Sequence, residues 1–209
     1  MSTDTIHQVQ GSGGWTAILE AFAGFVQAQR GQRVLDVGCG PGALVRLLAR
    51  RGCQVVGVDT DPAMVARAEE LAAGLPGAEF RQGSVLALPF ADGEFDLVTA
   101  TNVIFLLPEP VAGLAEMARV CRPGGRVAML NPAARLSQAT ARAYAAEAGL
   151  NERDTFSLTN WGRIAETHPR FTRAELKAML PAAGLALQAV EAQVGRGLAL
   201  FARAVKKPA

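Results

Sequence analysis

The chain has 209 residues, of which 50% are hydrophobic and 19% charged, and its 21 basic and 19 acidic side chains leave a net charge of +2. This length suits a single domain with a well-buried core. No apolar run approaches the roughly 18 residues of a membrane span, and the basic residues are scattered rather than gathered into a nucleic-acid-binding stripe, which excludes a membrane-spanning chain and argues against a nucleic-acid partner.

From residue 33 onward, short apolar runs alternate with segments of helical period, the pattern typical of parallel strands joined by helical crossovers. The fold class is therefore α/β. Asp61 precedes a proline and is predicted to cap a helix that begins at Pro62. The spacing predicts strands over 33–37, 54–58, 79–82, 95–100 and 126–130, and further helices over 42–51 and 110–121.

The two ends of the chain and its third quarter do not follow this alternation. Residues 1–30 are predicted to form an N-terminal arm that is helical from 15 to 29, and the alanine-rich residues 133–183 to form an inserted helical cap. Two apolar runs around Gly195-Arg196-Gly197, residues 185–194 and 198–205, predict a closing hairpin. We expect one domain over residues 1–209.

A strand that runs into glycines and then into a helix occupies residues 34–42, VLDVGCGPG. Only glycine lets the backbone turn sharply and approach a ligand closely, and the helix N-terminus offers unpaired N–H groups to a carboxylate or phosphate. Residues 38–43 also fit the dinucleotide pattern G-x-G-x-x-A, with Asp59 about 20 residues further on. The loop by itself therefore leaves a nicotinamide cofactor open.

Four motifs in order resemble the class I S-adenosylmethionine-dependent methyltransferases, and the resemblance covers roughly residues 30–205. They are VLDVGCGPG with Asp36 before the first glycine, VVGVDTDPAMVARA (55–68), GSVLALPFADGEFDLVTATNVIFLL (83–107) and RVCRPGGRVAMLNP (119–132). The chain looks most similar to the small-molecule branch, which includes ubiquinone and menaquinone biosynthesis methyltransferases. This resemblance implies a doubly wound, Rossmann-like, seven-stranded sheet of order 3-2-1-4-5-7-6, with strand 7 antiparallel and the arm and cap forming a helical lid.

The resemblance also implies the cofactor, S-adenosyl-L-methionine, with S-adenosyl-L-homocysteine as product. Asp59 would accept both ribose hydroxyls, since a carboxylate accepts two hydrogen bonds at once, and Asp36 would orient the methionine ammonium. Ser84 stands where the family usually has an aspartate that accepts from the adenine amino group, and a serine accepts without charge. The cofactor-binding residues so implied are Asp36, Gly38, Cys39, Gly40, Asp59, Thr60, Met64, Ser84, Val85 and Thr101, with Asn102 beside the last.

Methyl transfer from a sulfonium is an in-line displacement with a neutral leaving group, so positioning and desolvation carry much of the catalysis. A general base is needed only where the acceptor must lose a proton. His7, His168 and Tyr144 are the weak candidates for that role, since each residue type is more often incidental at such positions. An apolar acceptor pocket is expected to draw on the aromatic residues Trp15, Phe105, Tyr144, Phe156 and Trp161.

The favoured interpretation is methyl transfer to a small-molecule acceptor by a monomer or homodimer. A non-catalytic or regulatory S-adenosylmethionine-binding protein and an NAD-dependent oxidoreductase stay open as alternatives, the latter disfavoured by Asp36 and Gly42. The N-terminus lacks the features of a secretory signal, which predicts a cytoplasmic location. The three cysteines, Cys39, Cys53 and Cys121, lack metal-type spacing, so we expect reduced thiols and no metal site.

Overall fold

The computed structural model describes residues 13–208 and is built on a seven-stranded sheet of order β3-β2-β1-β4-β5-β7-β6. Strand β7 runs antiparallel to both of its neighbours, whereas the other neighbouring pairs are parallel. The sheet order and the antiparallel strand are confirmed. The strands are β1 (Arg33–Val37), β2 (Gln54–Asp59), β3 (Ala78–Gln82), β4 (Phe95–Thr101), β5 (Cys121–Pro132), β6 (Leu185–Gln193) and β7 (Ala199–Lys206).

Helices cover both faces of this sheet, because alternate strand residues point to opposite sides and each side buries its own apolar cluster. Val34 belongs to one cluster and Leu35 to the other. Within residues 13–208, no helix is both long and apolar enough to cross a membrane. The helices are α1 (Gly13–Phe25), α2 (Ala43–Arg50), α3 (Pro62–Leu71), α4 (Pro110–Val120), α5 (Gln138–Glu147), α6 (Glu152–Ala165) and α7 (Arg173–Met179), with 3-10 turns at Ile104–Leu106 and Leu180–Ala183.

The start of α3 follows the sequence prediction in detail. The Asp61 Oδ1 atom accepts a hydrogen bond from the backbone N–H of Ala63 over 2.9 Å, with Pro62 at the first helical position. A capping carboxylate of this kind typically stabilises a helix by about 1 kcal/mol. Helix α3 therefore begins where β2 ends, and this fixes the loop between them.

Strand β5 is longer than the predicted 126–130. Phe95 of β4 pairs with Cys121 and Leu97 pairs with Arg126, so the intervening residues 122–125 loop out of register. Gly124, at φ 71°, supplies the left-handed residue that this irregularity requires. Residues 122–125, which the predicted bounds place before the strand, therefore form a bulge inside β5.

The predicted helical cap at 133–183 divides into two parts with different surroundings. Helices α5 and α6 pack against each other, and α6 brings Trp161 onto Trp15 of α1. Helix α7 buries Leu176 in the core cluster that also contains Leu35. Only α5 and α6 therefore lie on the same side as α1, while α7 serves as the crossover helix that leads into β6.

Candidate functional site

A cavity of about 310 Å³ opens where β1, β2 and β4 end. The loops after these strands form its floor, and Trp15 of α1 together with Trp161 of α6 forms part of its roof. The position lies beside the switch in strand order between β1 and β4, which is where ligands bind in open α/β sheets. Six predicted cofactor residues line it: Gly38, Gly40, Asp59, Thr60, Met64 and Thr101.

The loop after β1 is a cradle that requires glycine. Gly38, Gly40 and Gly42 have φ angles of 64°, 52° and 76°, a left-handed conformation that side chains disfavour. A Cβ atom on Gly38 would lie 2.3 Å from the Cγ2 atom of Val103, which itself lines the cavity. A side chain at Gly38 would therefore push against the opposite wall of the site.

We expect Gly38→Ala to lower the free energy of unfolding by about 3 kcal/mol, since backbone strain adds to a clash. Gly74→Ala is the matched control, because Gly74 has a φ of 76° with no atom within 4 Å of the added Cβ. That control is expected to lose only about 1 kcal/mol. Urea unfolding of both variants measures the difference, and equal losses would show that the contact with Val103 is not restrictive.

The Asp59 carboxylate ties two loops of the floor together. Its Oδ2 atom accepts from the backbone N–H of Gly40 over 2.8 Å, and its Oδ1 atom accepts from the N–H of Asp61 over 3.0 Å. Each carboxylate oxygen has a second lone pair, so both can accept one further hydrogen bond from a ligand. The geometry therefore fits the pair of ribose hydroxyls that the resemblance assigns to this residue.

Asp36 lies in β1, two residues before Gly38, and does not line the cavity itself, since only 1% of its surface is exposed. Its Oδ1 atom accepts from the Thr99 hydroxyl over 2.8 Å, whereas no described residue bonds to Oδ2. Burial raises the pKa of Asp36 to about 7; the bond from Thr99 lowers this pKa and the nearby Asp59 raises it further. An unpartnered buried carboxylate oxygen fits a cationic group such as an ammonium.

Asn102 presents a second buried oxygen without a partner. It follows β4 with a φ of 59°, an uncommon left-handed conformation for a residue other than glycine, and it lines the cavity. Its Oδ1 atom has no hydrogen-bond donor among residues 13–208. Strained backbone and orphaned polar atoms accumulate at ligand sites, so the Asn102 side chain joins its neighbour Thr101 as a candidate for ligand contact.

Like Asp36, three other predicted cofactor residues, Cys39, Ser84 and Val85, do not line this cavity. The Cys39 thiol is buried in the core, which raises its pKa, and the Cys39 backbone N–H already donates to the Val58 carbonyl over 2.9 Å. Ser84 Oγ accepts from the Leu86 N–H over 3.2 Å in the turn after β3, and the Val85 side chain packs in the core. Any contact of Ser84 or Val85 with adenine stays a prediction.

Neither His168 nor Tyr144 is among the residues that line the strand-end cavity. His168 packs edge-on against the Phe105 ring at 5.7 Å between centroids, and its Nδ1 atom lies 3.0 Å from the Ile164 carbonyl oxygen. Tyr144 lines a separate cavity, and His7 falls outside the described residues. Among the described residues that line the strand-end cavity, Asp59 and Asp61 are therefore the only titratable ones.

The aromatic residues expected around an acceptor separate into three groups. Trp15, Phe105 and Trp161 line the strand-end cavity, as predicted, and Tyr144 lines the other one. Phe156 lines neither cavity, and 50% of its surface is exposed to solvent. No group of three or more His, Cys, Asp or Glu side chains within residues 13–208 is placed to hold a metal ion.

Comparisons with known proteins point to one family. Residues 35–129 match the family described as a methyltransferase domain. The chain is 42% identical over 109 residues to the phosphatidylethanolamine N-methyltransferase of Cereibacter sphaeroides, over 51% of this chain and 53% of that one. It is 41% identical over 101 residues to the ubiquinone biosynthesis O-methyltransferase of Paracidovorax citrulli, over 47% of this chain and 42% of that one.

The fold match extends over more of the chain than the sequence matches do. The structure of a SAM dependent methyltransferase from Aquifex aeolicus superimposes with a TM-score of 0.73, over 99% of both chains at 21% identity. This likeness shows a shared fold along the whole chain. The curated sequence matches are shorter, and the chain covers between 32% and 53% of the length of the first three relatives.

Proposed function

We propose, on the premise that residues 35–129 belong to the methyltransferase domain family, that this protein transfers a methyl group from S-adenosylmethionine to a small-molecule acceptor. The observation that carries the proposal is a cavity lined by Gly38 and Gly40 of the glycine cradle, by the Asp59 carboxylate and by Asn102, whose Oδ1 atom has no partner among the described residues. A second buried oxygen without a described partner, Asp36 Oδ2, lies two residues before Gly38. These features match the hydroxyls and the ammonium of the cofactor in number and chemistry.

The chain's own residues would hold the cofactor along the floor of the cavity. Asp59 accepts from the ribose hydroxyls, while Asp36 and Asn102 face the ammonium group. Thr60 and Met64 flank the adenine, and Ser84 is proposed to accept from its amino group. When bound, S-adenosylmethionine supplies a methyl group activated by the positive charge on sulfur.

The roof of the cavity supports a reaction that depends on positioning and the exclusion of water. Trp15, Phe105, Trp161 and Ile164 place apolar surface over the cofactor site. The two titratable residues of the lining, Asp59 and Asp61, are both engaged with backbone N–H groups. Because both carboxylates already hold the backbone of the floor, we favour an acceptor that needs no base from the protein.

The remaining parts of the proposal concern surroundings and partners. We place the protein in the cytoplasm as a monomer or homodimer that acts on a small molecule and not on nucleic acid. Supporting observations are the scattered basic residues and the three cysteines, all free and buried. The two alternative functions, a non-catalytic binding protein and an NAD-dependent oxidoreductase, draw no support from the site or from the similar proteins.

Calorimetric titration with S-adenosylmethionine, S-adenosylhomocysteine and NAD tests the cofactor. We expect both sulfur ligands to bind and NAD not to bind, because the Asp36 carboxylate just before the glycine loop suits an ammonium and disfavours a pyrophosphate. Failure to bind either sulfur ligand would refute the proposal. Release of S-adenosylhomocysteine during incubation with a metabolite panel then tests turnover, and binding without any turnover would favour the non-catalytic alternative.

A further inference from the structure

A second cavity, of about 320 Å³, lies behind the roof of the first. It is enclosed by α1, by α5 and α6, and by the turn between β6 and β7. Trp15 and Trp161 line both cavities, and their rings meet edge to face with centroids 5.8 Å apart and planes at 79°. The two cavities therefore share one wall, made of indole rings.

The walls of this second cavity are largely apolar. Ile18, Leu158 and Phe201 contribute aliphatic and aromatic surface. Tyr144 closes the far side against the β6–β7 turn, where a Cβ atom on Gly195 would lie 2.5 Å from the Tyr144 ring. A cavity of this size is at the small end of the range for small-ligand pockets, roughly 300–1,000 Å³.

The mouth of the cavity lies along α1. Ala17 and Ala21 line it, and both are exposed to solvent. Both side chains are small, so this exposed part of the lining is the mouth that we infer for a ligand. Neither alanine lines the strand-end cavity, so this mouth is separate from the predicted cofactor-binding residues.

One buried hydroxyl in the cavity has no partner. Ser157 is 6% exposed, and its Oγ atom has no hydrogen bond to any described residue. The neighbouring Asp154 carboxylate is engaged, because its Oδ1 atom accepts from the Gly14 N–H and its Oδ2 atom from the Asn151 side chain, each over 2.8 Å. A buried hydroxyl without a hydrogen bond is unfavourable. Ser157 would therefore gain from a hydrogen bond to a polar group on a ligand.

We propose that this second cavity binds the apolar part of the methyl acceptor, and that the acceptor is an amphipathic molecule with a hydrogen-bonding group for Ser157. The apolar part lies against one side of the Trp15–Trp161 pair, and the reactive end lies towards the cofactor on the other side. The inference rests on the proposed function, since it names the acceptor class for that site.

Straight-chain alcohols are suitable probes, because they combine an apolar chain with one hydroxyl and do not absorb where tryptophan does. Both tryptophans of the chain line the cavity, so their fluorescence reports on its occupancy. In protein saturated with S-adenosylhomocysteine, we expect octan-1-ol to bind about tenfold more tightly than hexan-1-ol, since two further methylene groups are buried.

Three variants locate the bound alcohol. Ala17→Phe narrows the mouth and is expected to weaken octan-1-ol binding about tenfold, whereas Ala115→Phe, at an exposed position of α4 outside both cavities, is expected to leave it unchanged. Ser157→Ala removes the hydroxyl without breaking a described hydrogen bond and is expected to weaken binding about fivefold. Cooperative thermal unfolding confirms that each variant is folded.

Three results would overturn the inference: no octan-1-ol binding by the unaltered protein, equal binding by Ala17→Phe and Ala115→Phe, or displacement of S-adenosylhomocysteine by the alcohol. Displacement would place the alcohol in the cofactor cavity instead. Failure of the proposed function is seen separately, as absence of S-adenosylhomocysteine binding by the unaltered protein. In that event, octan-1-ol binding to the unloaded protein still tests the cavity itself.

Discussion

Asp59→Ala is expected to weaken binding of S-adenosylhomocysteine by about 100-fold or more, since it removes both of the charge-assisted hydrogen bonds that we propose Asp59 accepts from the ribose. The same substitution frees the backbone N–H groups of Gly40 and Asp61, which the carboxylate now holds. The glycine cradle then loses its link to the loop after β2. Loss of direct contacts and loss of preorganisation therefore act in the same direction.

Two measurements separate this loss of affinity from general damage. Calorimetry gives the dissociation constant, and urea unfolding without ligand is expected to show a loss of about 2 kcal/mol with cooperativity retained. Asp92→Ala is the matched control, because it removes an exposed carboxylate that pairs with Arg119 away from the cavity. If folded Asp59→Ala bound the ligand within about threefold of the unaltered protein, Asp59 would not be a ribose contact.

The strands were predictable from the sequence because each central strand is a short apolar run buried on both faces. The placement of β7 between β5 and β6 was not predictable from local patterns, since none indicates that Val205 pairs with Arg126. Only the family resemblance implied this strand order. Helix α6 was also missed as a defined element within the cap. Its buried face includes Ser157 and Gly162, so hydrophobic periodicity gives a weak signal there.

The floor of the candidate site was more predictable than its roof. Gly38 and Asp59 follow strands directly, so the topology alone carries them to the same edge of the sheet. Trp15 and Trp161 lie far apart in the chain, and only the packing of α6 on α1 brings their rings together. For Cys39, adjacency to the glycines does not reveal that its thiol is buried in the core, and any contact of Cys39 with the cofactor stays a prediction.

Asp36 couples the stability of the protein to its cofactor site. Its folded-state pKa of about 7 lies above the ordinary value of 3.8, because burial penalises the charged form. Between pH 3.8 and about pH 7, the folded protein therefore retains a proton on Asp36 that the unfolded chain has lost. Stability contributed by Asp36 falls by about 1.4 kcal/mol per pH unit over that window and is constant above it.

Binding of S-adenosylhomocysteine is expected to release a proton from Asp36, since an ammonium beside Oδ2 stabilises the carboxylate and lowers its pKa. With a pKa near 7 in the unliganded protein, the release is expected to be about half a proton at pH 7, approaching one near pH 6 and nearly none at pH 8.5. Affinity should rise with pH over the same range, because less of Asp36 then has to be deprotonated.

Calorimetry in buffers of different ionisation enthalpy measures this release directly. Asp36→Asn should abolish it and weaken binding about tenfold or more, because the ammonium loses its charged partner. The change in the free energy of unfolding that Asp36→Asn causes in the unliganded protein should be more favourable at pH 8 than at pH 5, because the penalty for burying a charge is gone.

Asp92→Asn, at an exposed carboxylate that does not line the cavity, should leave both the proton release and the affinity unchanged. Equal proton release by Asp36→Asn and the unaltered protein would assign the proton to another group and would remove Asp36 from the ammonium site.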